Sequence, residues 1–243
     1  MHHPPYARFW RAGCAIAILL IAAVPGVSAQ TLPAVAESSL GARLQLGGQI
    51  VYRIPAREQL QAWANPNGLQ PTASVTDAAG QQQSLGTVSA TGGRLTVAIE
   101  PPPETVLLPV SEYMSELVVL FSGSFFGPVP VRPTTDNPEA RVVQIGELSV
   151  RTSSGEAIGV IHRRAESRTS NFTAYWIYSD RDVTITATSQ APGVEGDINL
   201  QLKRGWNRAI YGLIFVRGQN GRISLRSAAE PPGLQWIYWQ WRE

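Results

Sequence analysis

Residues 175–216 read YWIYSDRDVTITATSQAPGVEGDINLQLKRGWNRAIYGLIFV, and the fold class is decided here. Over 182–188, Val183, Ile185 and Ala187 alternate with Thr184, Thr186 and Thr188, the period-two pattern of a strand with one buried face. Residues 189–196 contain Ala191-Pro192-Gly193, which a strand interior does not accept, and read as a loop. Alternation resumes over 197–202, with Ile198, Leu200 and Leu202 on one side and Asp197, Asn199 and Gln201 on the other. Lys203-Arg204-Gly205 reads as a short turn in which Gly205 takes a positive φ, and Trp206 opens an almost continuously apolar strand over 209–216. Two hairpins in so short a span predict an antiparallel sheet.

Working outward, 49–54, 59–64, 72–76, 85–89 and 94–100 read as short strands, punctuated by Asn65-Pro66-Asn67-Gly68, Asp77-Ala78-Ala79-Gly80 and Thr91-Gly92-Gly93. The run 106–121 is apolar. A short helix over 112–120 competes there with a strand, and the β-rich Leu117-Val118-Val119-Leu120-Phe121 favours a buried strand. Four prolines, Pro128, Pro130, Pro133 and Pro138, follow; strands over 142–150 and 157–163 then flank a turn at Ser153-Ser154-Gly155. The expectation is an all-β, antiparallel β-sandwich protein built from two β units. Its parts are a signal peptide at 1–29, a flexible leader at 30–46, an N-terminal unit at 47–125, a Pro-rich linker or crossover at 126–140, and a C-terminal unit at 141–243.

One pattern within the opening stretch is shared with other proteins. Tyr178, Ser179, Asp180, Asp182, Val183, Thr184, Ile185 and Thr186, followed by Leu200, Leu202, Gly205, Trp206 and Asn207, form Y-S-D-x-D-V-T-I-T…L-x-L-x-x-G-W-N. This resembles a group of uncharacterised secreted bacterial proteins. The resemblance implies a signal-bearing all-β protein and brings no activity with it.

The first residues carry the marks of export. Arg8 and Arg11 make a positive n-region, residues 15–23 (AIAILLIAA) an apolar h-region, and Val27-Ser28-Ala29 a small-residue cleavage site. The apolar run is well short of the roughly 20 residues a spanning helix needs, so cleavage is expected over anchoring. Cys14 precedes that run, whereas a lipid-modified cysteine would follow it. Cleavage would leave 18 basic and 18 acidic residues, a balance that offers no field for nucleic acid or an anionic membrane. It would also remove the single cysteine and two of the three histidines, which rules out a disulfide, thiol catalysis, Cys-ligated zinc and a multi-His metal site. Stability must then come from core burial. The expected location is periplasmic or extracellular, with no membrane span after cleavage.

Candidate sites are few. Asp180 and Asp182 have the Asp-x-Asp spacing that can ligate calcium, and with Glu195 and Asp197, read as lying in a loop nearby, they offer the acids a glycosidase needs. The competing reading is that aspartates at a strand entry accept backbone N–H bonds and cap a turn. The C-terminal run QWIYWQW puts Trp236 and Tyr238 on one face and Ile237, Trp239 and Trp241 on the other. One face is expected to close the core. The aromatics Trp236, Tyr238, Trp239 and Trp241 are together the candidate ligand-binding set, suited to stacking on sugar rings or a partner. His162 sits beside Arg163 and Arg164, which disfavour its protonation as a base; that trio reads as local, solvated charge. There is no G-x-S-x-G elbow, P-loop or dinucleotide fingerprint, and no cofactor is called for. The functional expectation is an exported, non-enzymatic structural or interaction protein of the bacterial envelope, its partner another envelope protein or a polysaccharide. The alternative is a carbohydrate-binding or carbohydrate-active protein.

Overall fold

The computed structural model describes residues 31–54, 59–65, 68–77, 81–123, 128–215 and 220–241; the expected signal peptide at 1–29 lies outside them. The fold is all-β, with long antiparallel ladders and, among the described residues, one α-helix, Val110–Ser122. No helix among the described residues is long and apolar enough to cross a membrane.

One layer is centred on Ser170–Ser179, which pairs over its whole length with Gly205–Ile214. Arg141–Ile145 lies on its other side, and Gly221–Ser227, Val194–Leu202 and Val183–Ala191 extend the sheet beyond Gly205–Ile214. A second layer runs Gln70–Thr72, Leu148–Arg151, Ala157–Glu166, Gln235–Gln240, Leu44–Ile54 and Gln59–Ala62. The layers are joined where Arg164, Ala165 and Glu166 pair with Thr173, Phe172 and Asn171.

Because the middle of the first layer is buried on both faces, successive residues of Ser170–Ser179 and Gly205–Ile214 serve two cores. Trp176, Trp206 and Ile210 point toward the second layer and join Ile50, Leu95, Ile161 and Trp236. Ile177, Ala209 and Leu213 point the other way and join Val183, Ile185, Leu200 and the helix. That explains the unbroken apolar run of Gly205–Ile214: a strand covered on both sides has no face left for polar residues.

Four expectations are revised. The stretch expected as a buried strand at 117–121 is the end of the helix. Val110, Tyr113, Leu117 and Phe121 recur every three or four residues on its buried side, while Val119 is 62 % exposed. Helical spacing, with Pro109 immediately before the first turn, outweighs the β-propensity of two valines. The loop expected at 189–196 shrinks to a tip. Pairing continues from Val183↔Leu202 to Ala191↔Val194, and only Pro192-Gly193 turn, Gly193 at φ +80°.

The second expected hairpin does not form. Val194–Leu202 and Gly205–Ile214 are consecutive but not paired; Gly221–Ser227 inserts between them, parallel to the first and antiparallel to the second. The turn that allows this is built by Asn207, whose buried amide accepts from the Lys203 N–H at 2.9 Å and donates to the carbonyls of Lys203 and Gly205 at 2.6 and 2.9 Å. Gly205, at φ +100°, passes so close to Gly41 that a Cβ would stand 2.6 Å from its carbonyl oxygen. Here lies a physical reason for the Gly205-Trp206-Asn207 triplet.

Last, the stretch 30–46 expected as a loose leader contributes the strand Ser39–Gly41 and the start of Leu44–Ile54, and the Ala36 N–H bonds the Ser227 carbonyl at 3.0 Å. In the stretch expected as a Pro-rich linker or crossover, Val129 and Val131 are buried in the second core, and Thr134 and Thr135 pair with Thr186 and Ile185.

Candidate functional site

The terminal strand Gln235–Gln240 lies between Ala157–Glu166, antiparallel, and Leu44–Ile54, parallel. Its side chains point alternately to the two faces, and Ile237 is buried along with Trp236 and Tyr238. Trp236 and Tyr238 face inward and are 1 % and 2 % exposed. The Trp236 indole N–H donates to the Gly47 carbonyl at 3.3 Å, its ring stacks on Trp176, and the Arg163 guanidinium lies 5.5 Å from its centroid. The Tyr238 ring packs against Trp63 at 4.8 Å and Tyr52 at 5.9 Å, and burial pushes its hydroxyl pKa up. These two members of the expected binding set are therefore core residues, sealed from any ligand by the opposite layer.

Trp239 and Trp241 face outward and are 41 % and 38 % exposed, whereas Trp63, Trp176, Trp206 and Trp236 are all buried. Val160, cross-strand from Trp239, and Ile237 share the outer face and are buried there. Through the register Ile237↔Val51, Val51↔Ala62 and Arg53↔Leu60, the same face carries Leu60, which is 45 % exposed. The Trp241 N–H continues the ladder past the end of the strand, donating to the Ile158 carbonyl at 2.9 Å. Leu60 was missed on sequence; its place depends on two long-range pairings that no local pattern announces.

His162 borders this face, paired with Ile237, and its Nδ1 lies 3.9 Å from a Glu147 carboxylate oxygen. Burial, with Arg164 adding to it, pushes the His162 pKa down to about 4; partial desolvation raises that of Glu147, although its side chain is 60 % exposed. The trio expected as solvated charge is instead dispersed. Arg163 turns inward to Glu230 at 2.9 Å, and Arg164 bonds Asn171 and Glu166, each at 2.8 Å.

The acids are kept apart. Asp180 accepts the Arg141 backbone N–H at 2.9 Å and is held by Arg181; Asp182 accepts the Arg204 N–H and the Lys203 ammonium, both at 2.9 Å. The Lys203 hydrogen bond, ahead of the Arg204 N–H, holds the Asp182 carboxyl below the usual range. Glu195 and Asp197 lie in Val194–Leu202, not in a loop, toward the opposite end of the hairpin, and pair with Arg222 and Arg226. Asp136, which the sequence did not single out, shares a surface groove of about 400 Å³ with Asp182 and Lys203, and one of its oxygens accepts the Thr184 N–H at 2.7 Å. These carboxylates hold turns and strand ends together. Among the described residues, no three His, Cys, Asp or Glu side chains are grouped to hold a metal ion.

A larger groove, about 550 Å³, runs between Gly68–Thr72 and 84–91 and is lined without any titratable side chain. At its end Asn65, at φ +49°, bonds Leu69 through both its amide oxygen and nitrogen and donates to the Ala90 carbonyl at 3.1 Å. That asparagine closes a loop.

Compared with protein-family models, curated proteins and solved structures, the chain matches none of them.

Proposed function

We propose that this chain is an exported, non-enzymatic interaction protein of the bacterial cell envelope, and that it works through the outer face of its terminal strand. The observation that carries this reading is the division among the tryptophans of the described residues: four are locked in the interior, while Trp239 and Trp241 stand on one sheet face with Leu60 beside them. Large aromatics on a surface cost solubility, and a group of them on a fixed sheet marks a contact site. The leader pattern at 1–29 and the resemblance of the 178–207 pattern to secreted bacterial proteins support export. The pairing of Asp180, Asp182, Glu195 and Asp197 with separate basic partners supports a binding role over hydrolysis.

The test is photo-crosslinking in bacterial cells expressing the full chain, with benzoylphenylalanine in place of Trp241 or, on the far side, Val119. Adducts in the periplasmic or surface fraction from position 241 and not from 119 are expected. Equal labelling from both positions, or a cytoplasmic protein, overturns the reading.

A further inference from the structure

We propose that residues 31–41 form an exchangeable arm: the seat they occupy on their own chain also takes the same residues of a second copy, which links two molecules. This goes beyond the reading of the terminal strand and does not depend on it.

The arm lies along the first layer as an extended segment. Arg208 donates its backbone N–H to the Ser38 carbonyl at 2.9 Å, and Ser39 and Gly41 pair with Asn207 and Trp206. Gly221–Ser227 covers that edge of Gly205–Ile214 over 209–214, and the arm takes the strand position beyond it. Farther back, the Ala36 N–H reaches the Ser227 carbonyl at 3.0 Å, and the Arg226 guanidinium reaches the Pro33 carbonyl at 3.4 Å. Leu32 is the plug. It fills the space beside Gly212, where a Cβ would stand 3.1 Å from the Leu32 methyl, the Phe172 ring and the Ser224 hydroxyl alike. Seat and segment therefore fit by shape as well as by backbone bonds.

The seat is built without the arm. Gly205–Ile214 is bonded to Ser170–Ser179 along its whole length and to Gly221–Ser227 over 209–214. Emptied, it keeps those ladders and presents an unpaired edge beside an apolar notch, the arrangement that recruits a further strand. The arm, for its part, hangs on an exposed connection. Gly41 is at φ +85°, Ala42 and Arg43 are exposed, and the ion pair of Arg43 with Glu100 joins side chains 69 % and 65 % exposed, which holds the connection weakly. Where arm and seat meet, the buried hydroxyls of Ser38 and Ser224 bond no other protein group among the described residues, which lowers the cost of opening to water.

The observed occupant fixes the chemistry of the partner: an extended chain with a leucine at the notch and the small or branched residues Pro33, Ala34, Val35 and Ala36 behind it. A second copy's arm remakes each of these contacts, so exchange costs the freedom lost on association and little else. The resident arm competes at an effective concentration on the order of millimolar, so exchange is favoured where copies are crowded or the resident is weakened.

The experiment uses the full chain with Cys14→Ser, so that each variant carries one thiol. The donor carries Glu37→Cys on the arm. The acceptor, made larger by a tag, carries Lys203→Cys at the seat. Glu37 is exposed and lies close enough to Lys203 to add to the effect of Asp182 in raising the Lys203 pKa. Mixed at about 50 µM, well below the effective concentration of the resident arm, the two should be joined by a short bismaleimide into a heterodimer. Leu32→Ala in the acceptor weakens its resident arm and should raise the rate of joining about tenfold. Leu32→Ala in the donor should lower it toward the rate of a Val119→Cys donor, whose exposed helical position reports random collision. Leu32 lies outside the ladders, so its replacement keeps the fold; unchanged circular dichroism confirms this, and Leu32→Val should move both rates the same way by less. A Glu37→Cys rate no higher than that of Val119→Cys in every mixture overturns the proposal. So does a rate that ignores Leu32→Ala in both partners.

Discussion

Trp176 and Trp236, from opposite layers of the molecule, stack with ring centroids 5.3 Å apart and planes 20° from parallel. Each is 1 % exposed, and the pair ties the middle of the first layer to the C-terminal strand.

Removing either ring should be among the most damaging single changes. Trp236→Ala and Trp176→Ala are each expected to cost about 3–5 kcal/mol. A double-mutant cycle should return a coupling of about 0.5–1.5 kcal/mol. Urea unfolding followed by circular dichroism measures all three. Trp239→Ala, on the exposed side of the same strand, should lose far less.

The helix makes a sharper contrast between residues two apart. Leu117 is 2 % exposed and Val119 is 62 % exposed. Leu117→Ala should cost about 2–5 kcal/mol, and Val119→Ala less than about 0.5 kcal/mol. Similar losses at both positions would restore the strand reading of this segment, in which 117 and 119 share a face.

His162 should make stability fall in mild acid. Its native pKa is about 4, below the ordinary value of 6.5, so between those values the unfolded chain binds the extra proton. This contribution is fully present above about pH 6.5, and about 2–3 kcal/mol of it is lost as the pH falls toward 4. Glu147 acts in the opposite sense, because its raised pKa favours the protonated native form as pH falls. The measurement is therefore a difference: the gap in urea midpoint between wild type and His162→Gln should change between pH 7 and pH 4.5, and a constant gap would count against it.

The aspartates should behave as turn residues. Asp180→Ala strands the Arg141 N–H and should cost about 1–2 kcal/mol; Asp180→Asn, which keeps an acceptor oxygen, should cost less. Millimolar calcium should leave the melting temperature unchanged, since the Asp182 oxygens already hold Lys203 and Arg204. A rise with calcium that Asp182→Asn abolishes would reassign the pair as metal ligands.

The 183–202 hairpin was legible because its information is local. Alternating side chains declare a strand, and Pro192-Gly193 can turn only in a few ways, although the turn proved shorter than the Ala-Pro-Gly triplet suggests. The helix is marked only by Val110, Tyr113, Leu117 and Phe121 taken as a set, while the valines between them favour a strand locally. In the outer site, Trp239 and Trp241 could be assigned to one face by parity alone. Leu60, Val160 and His162 could not be placed beside them, because their neighbourhood arises from strand pairing across distant parts of the chain.

By itself, the amino-acid order settled that this is a β protein, where most strands lie, and which side chains along the last strand travel together. The folded chain alone decided that Trp236 and Tyr238 turn inward, and that Gly221–Ser227 enters between two strands consecutive in sequence. The reason is that backbone edges carry the same N–H and C=O groups whatever the residue. Periodicity can therefore announce a strand, but its neighbour is chosen by which long-range pairing buries the most apolar surface.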